Sequence, residues 1–254
     1  MKSCKSRIAF AVAALSLVVA GVADAAELKV YSSLVFGEIW AELKPKIEAR
    51  GHKLELVLLP SGAVTKRVTE GEAVDVIVTT APAIDGLAKS GKLAPDTTRA
   101  VASVGIGVAV LKGAPRPDIS TPEAFRNALL AAKSVAYSDP AGGGASGIAF
   151  AKVLKDLGIA EAVNAKARLG RGVPNAEFVV KGEAELAVQQ IPELMTVSGV
   201  DVIPFPPALQ VVTRYATAVH ATSANPVAAK ALVDLLVSPE TLALLKARGF
   251  DASP

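Results

Sequence analysis

The chain of 254 residues holds a single cysteine, Cys4, and two histidines, His52 and His220. One thiol gives no disulfide and no Cys-ligated zinc. The two histidines have no ligand spacing between them, and no H-E-x-x-H is present, so the sequence offers no metal site. Nor is there a G-x-S-x-G elbow for a Ser-His-Asp hydrolase. Aromatic residues make up only 4%, and no cluster of basic residues accompanies them, which excludes nucleic acid as a partner. No cofactor is implied. What the chain does have is an aliphatic interior: 51% of its residues are hydrophobic, mostly Ala, Val, Leu and Ile. That composition suits strands buried on both faces and covered by helices.

The first 25 residues read as an export signal rather than as fold. Lys2, Lys5 and Arg7 precede an apolar run from Ile8 to Gly21, and Ala23-Asp24-Ala25 is a small-residue cleavage site. The apolar run is short for a membrane span. Cleavage near Ala25 removes the only cysteine and takes the formal net charge from +3 to +1, through loss of Lys2, Lys5, Arg7 and Asp24. A cysteine-free exported protein is expected in a bacterial periplasm, as a monomer.

From Ala26 to about Val104 strands alternate with helices. Strands are expected at 28–31, 54–59 and 74–79, and helices at 33–49, 63–70 and 83–90. Pro45 lies inside the first helix and should kink it or shorten its start. A second block opens near Gly105, with strands at 106–111, before the glycine-rich stretch, at 184–189 and at 202–205. A strand over 215–221 returns the chain to the first block. The C-terminal helices begin at two cap-plus-proline signals, Asn225-Pro226 and Ser238-Pro239. Alternation of this kind predicts α/β architecture in two lobes, each a mostly parallel sheet flanked by helices. The expected lobes are 26–104 plus 222–254, and 105–221. A ligand cleft is expected between them, where strand ends and helix mouths face each other.

Three such mouths stand out. Ser32-Ser33 follows the first strand, and Ser61-Gly62 follows the second. Ser138-Asp-Pro-Ala-Gly-Gly-Gly-Ala-Ser-Gly147 joins a strand to a helix that starts near Ser146. Helix N-termini carry unpaired N–H groups and partial positive charge, so these turns suit an anion held by neutral donors. Serine at a helix start also serves simply as an N-cap. Gly142, Gly144 and Gly147 formally spell G-x-G-x-x-G, but the stretch falls mid-chain without the acidic residue of a dinucleotide fold. Ile148 stands where a P-loop needs lysine. Lys66 and Arg67 read as solvated surface, and Arg168 and Arg171, beside a glycine-rich link, read either as surface or as groups that reach a carboxylate.

The signal, the serine-bearing turns and the stretches Tyr31-Ser-Ser-Leu34, Pro60-Ser-Gly-Ala-Val-Thr-Lys-Arg67, Gly182-Glu-Ala-Glu-Leu-Ala187 and Lys246-Ala-Arg-Gly-Phe250 resemble the periplasmic molybdate-binding proteins of ABC importers. The resemblance implies the type 2 periplasmic binding fold, a small anionic ligand and an ABC permease in the inner membrane as partner. Carried over by position, Ser33 and Ser61 match two binding serines, and Ser146 and Val173 fall at or near backbone donors. Ser32, Gly62, Gly144 and Ala145 flank them. The family's binding tyrosine falls near Gln190, where this chain reads Gln189-Gln190-Ile-Pro-Glu193, and the glycine-rich turn is longer than in molybdate binders. Both departures favour a larger or differently shaped anion. This branch also resembles the group containing aconitate isomerase, which moves an allylic proton and needs a base. His220, Glu193 and Asp139 are candidates, and the sequence singles out none of them.

Overall fold

A computed structural model describes residues 26–252. The expected signal lies outside the described residues. In the first half, strands and helices alternate as β1 Glu27–Ser33, α1 Gly37–Glu48, β2 Lys53–Leu59, α2 Ser61–Thr69, β3 Val76–Thr80, α3 Ala81–Lys89 and β4 Arg99–Val104. The second half comprises β5 Ile106–Leu111, α4 Pro122–Ala131, β6 Val135–Ser138, α5 Ala145–Asp156, α6 Ala160–Asn164, β7 Ala167–Gly170, α7 Ala176–Val180, β8 Leu186–Gln190, α8 Ile191–Met195 and β9 Val200–Pro204. Strand β10 Thr213–Val219 and helices α9 Pro226–Leu236 and α10 Pro239–Ala247 complete the chain.

Two five-stranded sheets result, ordered β2-β1-β3-β10-β4 and β7-β6-β8-β5-β9. Their plans match. In each, four strands run one way and the fourth in order, β10 or β5, runs against them. Each reversed strand is the one that has just crossed from the other lobe. The first crossing is a single residue, Gly105, between β4 and β5. The second covers residues 205–212 and precedes β10, so that strand belongs to the first sheet. The sequence-based boundary after Ala221 had placed it in the second lobe. A strand's sheet is decided by its ladder partners, here β3 and β4, and local sequence does not encode those.

Alternation along the strands separates the two faces of each sheet. In the first, Leu28, Val30, Val76, Val78 and Tyr215 pack with Trp40, Leu43, Leu232 and Leu236 from α1 and α9, while Tyr31, Ile77 and Ala218 pack with Val64 and Ile84 from α2 and α3. In the second, Val108, Tyr137 and Val188 meet Phe125 and Phe150 on one face. Ala109, Ala136 and Ala187 meet Val179 and Leu194 on the other. Helix α1 runs through Pro45 and starts at Gly37, after a 3₁₀ turn over Leu34–Phe36. The edge strand β7, the strand β4 and the helix α8 were not anticipated from the sequence.

Among the described residues no helix is long and apolar enough to cross a membrane.

Candidate functional site

The parallel strands of both sheets end at a cleft between the lobes, about 460 Å³ in volume. This is within the roughly 300–1,000 Å³ typical of small-molecule sites. It equals about fifteen water volumes at about 30 Å³ each.

Ser33 and Ser61 enter it together. Their Oγ atoms are 2.8 Å apart. Ser33 lies on the same face of β1 as Tyr31, and that face is covered by α2, whose first residue is Ser61. Its neighbour Ser32 lies on the opposite face, where its Oγ accepts the indole N–H of Trp40 at 2.8 Å. Ser32 therefore belongs to the core of the first lobe and does not line the cleft. The Gly62 N–H is also engaged: it donates across the cleft to the Gly143 carbonyl at 3.2 Å. A Cβ on Gly62 would come within 3.2 Å of Gly143 Cα, so the lobes meet at two glycines.

The second lobe contributes the mouth of α5. Gly144, Ala145 and Ser146 line the cleft. Phe150 anchors the helix against Tyr137 on β6, ring centroids 5.1 Å apart. The same close approach explains Gly147, where a Cβ would lie 2.2 Å from the Ser138 carbonyl oxygen. Ser146 Oγ donates to Ser138 Oγ at 3.3 Å, and Asn175 Nδ2 donates to Ser138 Oγ at 3.0 Å and to the Val188 carbonyl at 3.1 Å. The Asn175 N–H in turn donates to Gln189 Oε1 at 2.6 Å. The wall is thus a hydrogen-bonded chain of uncharged side chains. Val173 sits at the rim, 40% exposed.

Gln190 forms part of the floor. Its Oε1 accepts from the phenol of Tyr215 at 2.9 Å, a contact between lobes. Its Nε2 is buried and has no partner among the described residues. Tyr215 is fixed by the first lobe, with its ring 5.2 Å from Phe36 in an edge-on contact. Burial, and then the nearby Glu193 carboxylate, push its pKa upward, so it is a neutral donor. A phenol therefore does reach position 190, but from the other lobe and another strand.

The three candidate bases separate cleanly. His220 is five residues beyond Tyr215 on an extended strand, about 17 Å away at about 3.4 Å per residue. Its ring is tied to Thr222, its backbone N–H to the Asp75 carbonyl, and it does not line the cleft. Asp139 lines the cleft, but Arg171 Nε donates to its Oδ2 at 2.9 Å and the Ala141 N–H to its Oδ1 at 3.0 Å. That carboxylate holds a turn. Glu193 also lines the cleft and has no cationic partner among the described residues. It keeps some exposure to the cleft while lying deep between the lobes. Burial raises its pKa to about 7, opposed by hydrogen bonds from the Gln189 side chain and the Gln190 backbone.

Sequence reasoning missed Tyr215, Ser138, Asn175 and Gln189 as site residues. Polar residues ending an apolar strand, as Gln189 and Gln190 do, were an available signal. Tyr215 could be placed only by knowing that β10 runs antiparallel, which brings its start to the edge where the parallel strands end.

Two five-stranded α/β lobes with a cleft at their crossings make the fold of the periplasmic binding proteins. Residues 28–251 match the bacterial extracellular solute-binding proteins, and the chain belongs to that family. It is 35% identical over 221 residues to an aconitate isomerase from a Pseudomonas species, covering 84% of this chain and 83% of that protein. Among solved structures it is similar to the periplasmic molybdate-binding protein of Azotobacter vinelandii, with a TM-score of 0.73, 18% identity, and coverage of 89% of this chain and 100% of that one. It is also similar to the sulfate-binding protein SubI of Mycobacterium tuberculosis, with a TM-score of 0.69, 19% identity, and coverage of 89% and 86%. At those identities the structural likenesses speak for the fold.

Proposed function

We propose that the protein acts in the periplasm, as a monomer, closing its lobes on a small organic anion with more than one carboxylate and handing it to the permease of an ABC importer. One observation carries this reading: Gln190 Nε2, a buried donor without a partner among the described residues, at the floor of the cleft. A buried unpaired donor costs about 1–3 kcal/mol, and an anionic acceptor removes that cost. Around it stand the hydroxyls of Ser33, Ser61 and Ser146, all buried and uncharged. Arg171 stands at the rim with its terminal nitrogens unpaired among the described residues, able to meet a second carboxylate. The volume exceeds the needs of a five-atom oxyanion and suits an acid of about a dozen heavy atoms.

A thermal-shift screen of molybdate, tungstate, sulfate, phosphate, citrate and both aconitates tests the proposal. Polycarboxylates should stabilise the protein by roughly 2.7 kcal/mol at one hundred times Kd, and the oxyanions should not. Stabilisation by molybdate alone would overturn the substrate class.

A second reading is favoured by Glu193. An ionised carboxylate repels the anion beside it, whereas a proton carrier at that place fits an isomerase. The relative named aconitate isomerase points the same way.

A further inference from the structure

We propose that Glu193 carries a proton between the two ends of an allylic unit in an unsaturated polycarboxylate held in this cleft. The inference rests on the isomerase reading above and names the residue that performs it. Geometry selects the residue. Glu193 projects from α8 into the same hollow as Ser33, Ser61, Ser146, Gln190 and Tyr215. The other titratable or charged groups facing that hollow are Glu38, the bonded pair Asp139–Arg171, and Tyr215. Glu38 binds Arg248 at 3.0 Å, Asp139 is held by Arg171, and the Tyr215 phenol donates to Gln190. Of these carboxylates, Glu193 alone has no ionic partner among the described residues; its only ties are hydrogen bonds from its own neighbours, including the Gln190 N–H at the start of α8. Donors from Gln189 and Gln190 orient it.

The step balances without a co-reactant. The Glu193 carboxylate takes a proton from the methylene carbon next to a ligand carboxylate, so a C–H bond breaks and an O–H bond forms. The electron pair spreads over the allylic carbons into the ligand's carboxylates, where the neutral donors of the cleft receive the added charge. Glu193 then returns the proton to the far carbon of the allylic unit. The double bond has moved, and the new one takes its geometry from the conformation held about the former single bond when the proton leaves, so a trans acid bound in the right conformer leaves as cis. A carboxyl poised near neutrality both accepts and releases the proton at working pH.

The test is proton NMR of the protein with trans-aconitate in deuterated water, run beside thermal shift. The wild type should produce cis-aconitate, with deuterium on the receiving carbon only to the extent that the proton on Glu193 exchanges with solvent before its return. Glu193→Gln should keep the thermal shift yet lose conversion and exchange by about 10²-fold or more. Glu193→Asp, which keeps a shorter carboxylate, should retain a slowed reaction with an altered pH profile, and it replaces the Gln variant if that one melts early. Conversion by Glu193→Gln within tenfold of wild type overturns the assignment. Wild type stabilised by trans-aconitate without conversion or exchange overturns the inference but leaves ligand capture standing. No stabilisation by any polycarboxylate, with no exchange, overturns both.

Discussion

The phenol oxygen of Tyr215, on the first lobe, lies 2.9 Å from Oε1 of Gln190, on the second. This bond spans the floor of the cleft and orients the Gln190 amide so that its free Nε2 remains for a ligand. Aromatic packing holds one end, since Phe36 meets the Tyr215 ring edge-on and stacks on Phe250. Strand register holds the other, with Gln190 opposite Ile106 on β5.

Tyr215→Phe keeps the ring packing and deletes the bridge. The Gln190 carboxamide then loses its fixed orientation, and the closed form loses about 1–3 kcal/mol. Ligand affinity should fall about tenfold or more by calorimetry, and the melting temperature should fall with it, because the bridge is a buried contact of the fold itself. Unchanged affinity would show that the bridge does not organise the floor.

Neighbouring serines on β1 should behave oppositely. Ser33→Ala removes a hydroxyl from the cleft and should weaken ligand-induced stabilisation while leaving the fold intact. Ser32→Ala leaves the Trp40 indole N–H buried without an acceptor, at a cost of about 1–3 kcal/mol in stability. Ligand affinity should survive in the second variant. Thermal melts with and without ligand separate the two effects.

Glu193 makes stability depend on pH in a defined direction. Its folded pKa, about 7, lies above the ordinary 4.5. Between those values the folded state binds more protons than the unfolded one, so stability falls as pH rises through that window and then levels off. Glu193→Gln removes the penalty. Without ligand it should be more stable than wild type at pH 8, by about 2–3 kcal/mol, and equal to it near pH 4. Urea melts across that range check the sign.

Gly147→Ala forces a methyl to within 2.2 Å of the Ser138 carbonyl oxygen, which only a shift of α5 relieves. Overpacking of this kind costs about 1–3 kcal/mol. Because the same helix presents Ser146, ligand-induced stabilisation should drop together with the melting temperature.

Much of the architecture was legible because its signals are local. Ser238, in its cap-plus-proline signal, caps α10 by accepting the Thr241 N–H. The small-residue turns after β1, β2 and β6 do meet at one hollow, with Ser33, Ser61 and Ser146 on its walls. The glycine pattern, by contrast, carries packing meaning that spacing does not show: Gly147 admits a strand carbonyl, and Gly62 meets Gly143 of the other lobe. Ser32 could not be told from Ser33 without knowing which face α2 covers. Edge strand β7 was hidden by its shortness and exposure, with Arg168 and Leu169 on the surface. Tyr215 was invisible as a site residue because its contribution depends on the direction of a strand whose partners are more than 100 residues away in sequence, as its pairing with Ala102 illustrates.

The most direct test is a crystal structure of the protein grown with trans-aconitate. A ligand carboxylate oxygen is expected within about 3.2 Å of Gln190 Nε2, with the Ser33 and Ser61 hydroxyls turned toward the same molecule and the Glu193 carboxyl beside its allylic carbons. A ligand bound elsewhere, or an empty cleft with Gln190 Nε2 still unpaired, would contradict the proposal.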